Sequence, residues 1–115
     1  MSYRIAAATS NGKIVDTHFG RAEYFTILEV QDDGSFAEIE RRDVFHSSDG
    51  KCSQDLMNKA AENLSDCSYV LAAKIGPHAI QALEAKKISA FDIAIEIAPA
   101  VEKIHVYHKK VNRIN

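Results

Sequence analysis

The chain changes rhythm once, near residue 53. Up to Phe45 its apolar residues come in short runs separated by turn-forming clusters, whereas beyond that point they recur at helical spacing, interrupted by two further short apolar runs. A leading block of strands followed by alternating helices and strands can bury its apolar faces in few ways. The strands must share one sheet, and the helices must cover it.

Taken in order, Tyr3 to Thr9 is an apolar run stopped by Ser10-Asn11-Gly12, the pattern of a buried strand ending in a turn. Tyr24 to Val30 is rich in β-branched and aromatic residues, and Asp32-Asp33-Gly34-Ser35 turns it into a run from Phe36 to Phe45, so the two predict an antiparallel hairpin. Glu38, Glu40, Arg41, Arg42 and Asp43 suit the second hairpin strand to a sheet edge that must resist stray pairing. Leu56, Met57, Ala60, Ala61 and Leu64 share a helical face, with Ser53 placed as its cap. Tyr69 to Ala73 reads as a fourth strand. Ile75-Gly76-Pro77 then opens a helix with Ala79, Ile80, Ala82 and Leu83 inward. The alternation from Phe91 to Ile97 predicts a fifth strand. Pro99 starts a last helix whose Val101, Ile104, His108 and Val111 share a face, and whose Lys109, Lys110 and Arg113 complement the helix dipole. With right-handed crossovers, this order predicts a three-layer α/β/α architecture of ribonuclease-H-like type. Its five-stranded mixed sheet would be ordered 3-2-1-4-5 with only the second strand antiparallel.

Composition narrows the function. The 115 residues predict one domain over 1–115, and a net charge of -2 argues against a nucleic-acid partner. No run reaches the ~20 apolar residues of a membrane span. Cys52 and Cys67 are too few for a secreted disulfide scaffold, so a cytoplasmic protein is expected. Cys67, ahead of the fourth strand, belongs at the far edge of the sheet as a buried, inert thiol, and a bond to Cys52 would have to cross the sheet.

In this topology the carboxyl ends of strands 1, 3, 4 and 5 and the start of strand 2 lie along one edge, where open α/β sheets place their ligands. That edge collects Thr9, Ser10 and Asn11; His18, Gly20 and Arg21; the stretch His46 to Cys52; and Lys74, Gly76 and His78. A two-metal nuclease needs carboxylates at its strand ends, and Ile5-Ala6-Ala7-Ala8-Thr9 has none. Imidazole, thiol, cations and a Gly-Pro helix start suit an anionic ligand or a soft metal centre instead. His18 fits a metal ligand or a hydrogen bond to its own loop. Arg21 fits an anion contact or a solvated cap, and Lys74 with Gly76-Pro77-His78 forms an anion cradle or mere punctuation between strand and helix. Cys52, with His46 as its partner, is either a reactive or a spectator thiol. His105 and His108, spaced i, i+3, read as a partly packed, partly solvated pair.

His18-Phe19-Gly20-Arg21-Ala22-Glu23-Tyr24-Phe25 resembles the HFGRAxxF signature of the dinitrogenase iron-molybdenum cofactor biosynthesis family. Asp66-Cys67, followed by Val70-Leu71-Ala72-Ala73-Lys74-Ile75-Gly76-Pro77, resembles its second signature. The similarity runs along nearly the whole chain. Where the NifB-type branch often carries a CGGCG-like stretch, this chain has His46-Ser47-Ser48-Asp49-Gly50-Lys51-Cys52, with a single thiol. The resemblance implies a ribonuclease-H-like fold and a carrier rather than an enzyme. Its cargo would be iron-molybdenum cofactor or an iron-sulfur cluster precursor, and its partners nitrogenase assembly proteins. It favours His18 as metal ligand; from their place on the strand-end edge, His46 and Cys52 are expected as further ligands and Arg21, Lys74, Gly76 and His78 as support for cluster charge. The rival expectation is a regulatory or interaction module of the same fold that holds no metal.

Overall fold

A computed structural model describes residues 2–22, 24–43 and 54–112. The strands are β1 (Tyr3–Ala7), β2 (Phe25–Val30), β3 (Phe36–Arg42), β4 (Tyr69–Ala72) and β5 (Ser89–Asp92), and the helices are α1 (Gln54–Asn63), α2 (Pro77–Ala85) and α3 (Ile97–Asn112). They form one five-stranded sheet in the order β3-β2-β1-β4-β5. β2 runs antiparallel to both neighbours, while β1, β4 and β5 are mutually parallel, as the pattern predicts.

Two cores explain why the sheet needs helices on both faces. Ala6, Phe25, Ile27, Val70 and Ala72 pack on one side against Met57, Ala60, Ala61 and Leu64 of α1 and Ala79, Ala82 and Leu83 of α2. Ile5, Ala7, Leu28, Val30, Tyr69 and Leu71 pack on the other against Ile97, Ala100, Val101 and Ile104 of α3. Successive strand residues alternate between the cores. Because both faces are covered, β4 reads as a continuous apolar run, and β1 and β2 are interrupted only by Arg4 and by Thr26 and Glu29. Side chains such as Leu71 and Phe25, with no exposed surface, each contribute roughly 1.5–3 kcal/mol through burial.

The edge strand β3 lies outside both cores, exposed at every position except Arg42. It is held by its ladder to β2 and by Arg42. That guanidinium donates to both carboxylate oxygens of Asp66 at 2.7 and 3.1 Å and to the Asn63 carbonyl at 2.8 Å. Arg4 adds a 2.7 Å bond to the same carboxylate. Together they hold the Asp66 carboxyl down at about 2, chiefly through the hydrogen bond from Arg42. Cys67 beside it is buried and free, and burial pushes its thiol up to about 12, as an inert cysteine requires.

Four expectations are corrected. The fifth strand covers Ser89–Asp92 rather than Phe91 to Ile97. α2 ends at Ala85 in a tight reversal that delivers Ser89 directly to β4, and the later alternation is used elsewhere: Val15 N–H bonds Ile95 O, and Ile97 N–H bonds Lys13 O. The third strand stops at Arg42 within the described residues. Ile80 and Val111 are exposed rather than inward, Ile80 because it lies over the sheet edge at β5 and Val111 because the last turn of α3 carries no core residue. Helix α3 begins at Ile97, so Pro99 sits within its first turn, where a missing N–H costs nothing.

Candidate functional site

The connection from β1 to β2 is shaped by its own polar side chains. Asn11 Oδ1 accepts from the Lys13 and Ile14 amides at 2.8 and 3.0 Å, and buried Thr9 Oγ1 accepts from the Gly12 amide at 3.1 Å. Asp16 accepts from the Ser10 hydroxyl at 2.6 Å, from its amide at 2.9 Å and from the Thr17 hydroxyl at 2.9 Å. These bonds, led by the Ser10 hydroxyl, hold the Asp16 carboxyl below the usual carboxylate range. Thr9, Ser10 and Asn11 therefore build the loop rather than a ligand site.

The loop hands the chain to His18, whose backbone forms a parallel bridge with Lys74. Ala73 N–H donates to Thr17 O and Phe19 N–H to Lys74 O, both at 2.9 Å. Phe19 then opens a single 3-10 turn, Phe19–Arg21, and plugs into the α1/α2 core against Phe25 at 5.1 Å between ring centroids. A buried aromatic at that position leaves its neighbours His18, Gly20 and Arg21 at the surface. On the facing side β4 ends at Ala72, Ile75 is buried, and Gly76 caps α2 with Pro77 in its first turn. Lys74, Gly76 and His78 stay exposed.

Between these two segments lies a cavity of about 340 Å³, lined by His18, Gly20, Arg21, Met57, Lys74, Gly76, His78 and Ala79. Met57 and Ala79 are its buried apolar lining, while two cations and two imidazoles supply the polar groups. No carboxylate is among its described lining residues, and the N-terminal end of α2 adds the positive end of a helix dipole. Such a lining favours a large, weakly hydrated anion over a cation. Among the described residues, no three His, Cys, Asp or Glu side chains come together to hold a metal ion.

Five of the expected residues, His18, Arg21, Lys74, Gly76 and His78, thus meet at one cavity. His46 and Cys52 lie outside the described residues, as do the Ser53 cap and Arg113. Met57 belongs to the core by its helical spacing, and only the sheet's geometry shows that its end of α1 also forms a cavity wall. Tyr24 is half-buried, with Arg41 over its ring at 5.1 Å. His105 and His108 sit at a different place, accepting from or donating to the Tyr3 and Tyr69 hydroxyls at 3.0 and 2.7 Å, half-buried as their spacing suggests.

No helix of the described residues is long and apolar enough to cross a membrane. The fold is shared with solved structures. The apo form of the orange protein from Desulfovibrio gigas matches with a TM-score of 0.65 and 30% identity, over 89% of this chain and 86% of that one. PH0822 matches with a TM-score of 0.65 and 20% identity, over 93% of this chain and 92% of the other. By sequence, the FeMo cofactor biosynthesis protein NifB of Frankia alni is 36% identical over 104 residues, which is 87% of this chain. Those residues make up 20% of the length of that protein. The family model for dinitrogenase iron-molybdenum cofactor proteins matches residues 1–106. With both signatures placed on either side of one cavity, the chain belongs to the dinitrogenase iron-molybdenum cofactor family.

Proposed function

We propose that this chain is a non-catalytic cytoplasmic carrier that takes an anionic metal-sulfur cluster, iron-molybdenum cofactor or an iron-sulfur precursor, into the cavity beside His18 and passes it to nitrogenase assembly proteins. We read it as one domain of ribonuclease-H-like type. The observation that carries the proposal is the composition of that one cavity: imidazoles and cations around an apolar wall, with no carboxylate among the described lining residues. A bare metal ion needs several protein ligands, whereas a cluster brings its own bridging sulfides and needs few. His18 is the leading ligand, Lys74 and Arg21 offset cluster charge, and His78 and the α2 end at Gly76 complete the cradle. His46 and Cys52 are proposed as further ligands. The family match and the name of the Frankia alni relative support this reading of the cargo.

The test is anaerobic cluster uptake. Purified protein offered a cluster donor gains charge-transfer absorption, and His18→Ala lowers retention at least tenfold. The thermal midpoint stays nearly unchanged, because His18 is exposed and its side chain makes no capping bond. Unchanged retention in His18→Ala, His46→Ala and Cys52→Ala removes the ligand assignment, and a wild type that takes up no cluster removes the carrier reading and favours the metal-free interaction module.

A further inference from the structure

We propose that Tyr3 and Tyr69 form a redox-active site, in which a phenol gives an electron to a one-electron oxidant while its proton passes to a histidine ring nitrogen. The two tyrosines begin β1 and β4 on the α3 face of the sheet, whereas His18 and Lys74 follow the ends of those strands. Each phenol meets an imidazole: Tyr3 Oη is 3.0 Å from His105 Nδ1, and Tyr69 Oη is 2.7 Å from His108 Nδ1. His108 also stacks on Tyr3 at 3.9 Å between ring centroids, so phenols and bases form one cluster. The second nitrogen of His105 fixes the direction of its bond to Tyr3. Nε2 lies 3.2 Å from the carbonyl oxygen of Asp32, which can only accept. Nε2 therefore carries the hydrogen, and Nδ1 of the neutral ring accepts from the Tyr3 hydroxyl.

A protonated phenol gives up an electron readily only when its proton can leave with it. Burial pushes the Tyr3 hydroxyl up to about 12 and raises that of Tyr69, so both react in the protonated form. Burial also holds the His108 imidazole below its usual range, which leaves that ring neutral and able to take a proton near neutral pH. On oxidation the Tyr3 O–H bond breaks, an N–H bond forms at His105 Nδ1, and the electron goes to the oxidant. A neutral phenoxyl radical then faces an imidazolium. That cation keeps its bond to the Asp32 carbonyl, now charge-assisted, in a depression also lined by Lys109. Aromatic rings connect the cluster to the surface. Tyr107 is 43% exposed and stands 6.2 Å from Tyr69, which is 5.5 Å from Tyr3, both between ring centroids. An oxidised Tyr107 thus draws its electron from the inner pair, where bases wait for the proton. Tyr24, the fourth tyrosine of a chain without tryptophan, provides the contrast. Its hydroxyl donates to the Ser10 carbonyl at 3.3 Å, too weak a base to take a proton.

The test uses the full chain without cargo, so its outcome is independent of cluster uptake. Photogenerated tris(bipyridine)ruthenium(III), an outer-sphere one-electron oxidant, is mixed with the protein, and its reduction is followed together with the phenoxyl absorption. In wild type the reaction slows at least twofold in heavy water, because the proton moves with the electron. Replacing both inner phenols, Tyr3→Phe with Tyr69→Phe, slows phenoxyl formation at least fivefold, while Tyr24→Phe stays within twofold of wild type. His105→Gln with His108→Gln keeps polar groups at both positions but removes the bases, and it slows the reaction as much as loss of the phenols. If the glutamine variant fails to fold, the phenol variants and the isotope effect decide. A rate that survives loss of Tyr3 and Tyr69 overturns the proposal, as does a folded glutamine variant that reacts like wild type, or the absence of an isotope effect.

Discussion

The Phe19 amide donates to the carbonyl of Lys74 at 2.9 Å. This bond joins the two family signatures through residues more than fifty positions apart in the chain, and it brings His18 and Lys74 to the same cavity. Neither signature forms that cavity alone. The first supplies a turn anchored by Phe19, the second a strand end followed by a helix start, and only the parallel bridge puts them face to face.

That geometry separates cations that matter to cargo from those that do not. Lys74 lines the cavity, whereas Lys109 lies on α3 beside Tyr3, His105 and His108, at a separate depression. Lys74→Glu is expected to weaken cluster binding about tenfold, with Lys109→Glu within about twofold of wild type. Because the contact is exposed to solvent, raising the salt narrows the gap. Binding titrations at low and high ionic strength measure it, and equal losses from both substitutions would mean nonspecific attraction.

The Asp66 carboxyl, held at about 2 by Arg42 and Arg4, makes stability depend on acid. A carboxyl whose folded value lies below its unfolded value contributes fully above about pH 4 and loses that contribution as pH falls toward 2. The pair is partly solvent-exposed, so screening limits the contribution to about 1 kcal/mol. Urea unfolding should show stability falling across that window. Asp66→Asn should be less stable at neutral pH and show a shallower fall below pH 4; an unchanged slope would mean that the clamp contributes nothing.

Two positive-φ positions are expected to respond in opposite directions. Lys87 closes α2 at φ 62°, its N–H bonding Glu84 O while Ile88 N–H bonds Leu83 O, a C-terminal reversal usually given to glycine. Lys87→Gly relieves the side-chain clash of that conformation and should stabilise by about 0.5–1 kcal/mol. Gly34, at φ 91°, ends the hairpin turn with the space for a Cβ only 3.1 Å from the His105 ring. Gly34→Ala should cost about 1–2 kcal/mol, combining backbone strain with displacement of that ring. Thermal melts at low protein concentration check both signs, and a destabilised Lys87→Gly would show that the lysine side chain contributes more than its backbone strain costs.

Period and punctuation in the chain were enough to establish the order of elements, the hairpin at Asp33-Gly34, the inward positions Met57, Ala60, Ala61 and Leu64 of α1 and Ala79, Ala82 and Leu83 of α2 and, through right-handed crossovers, the strand order. These are local properties, carried by neighbours three or four residues apart or by alternation along a strand. The fifth strand departs from its expected range for a physical reason. Ile93 and Ile95 alternate as a strand would, yet they pack beside the α3 core while the neighbouring backbone meets residues 13–15, and the ladder to β4 was already taken by Ser89–Asp92. Hydrophobic period records that a face is buried and not which element buries it. The residues of the cavity could be named from motif and topology, but its shape could not. The wall contributed by Met57, the exposure of Ile80 at an open sheet edge and the clamp between Arg42 and Asp66 each depend on side chains from separate elements meeting in space. The tertiary structure decides such meetings, because they depend on how helices and sheet pack and not on any local spacing.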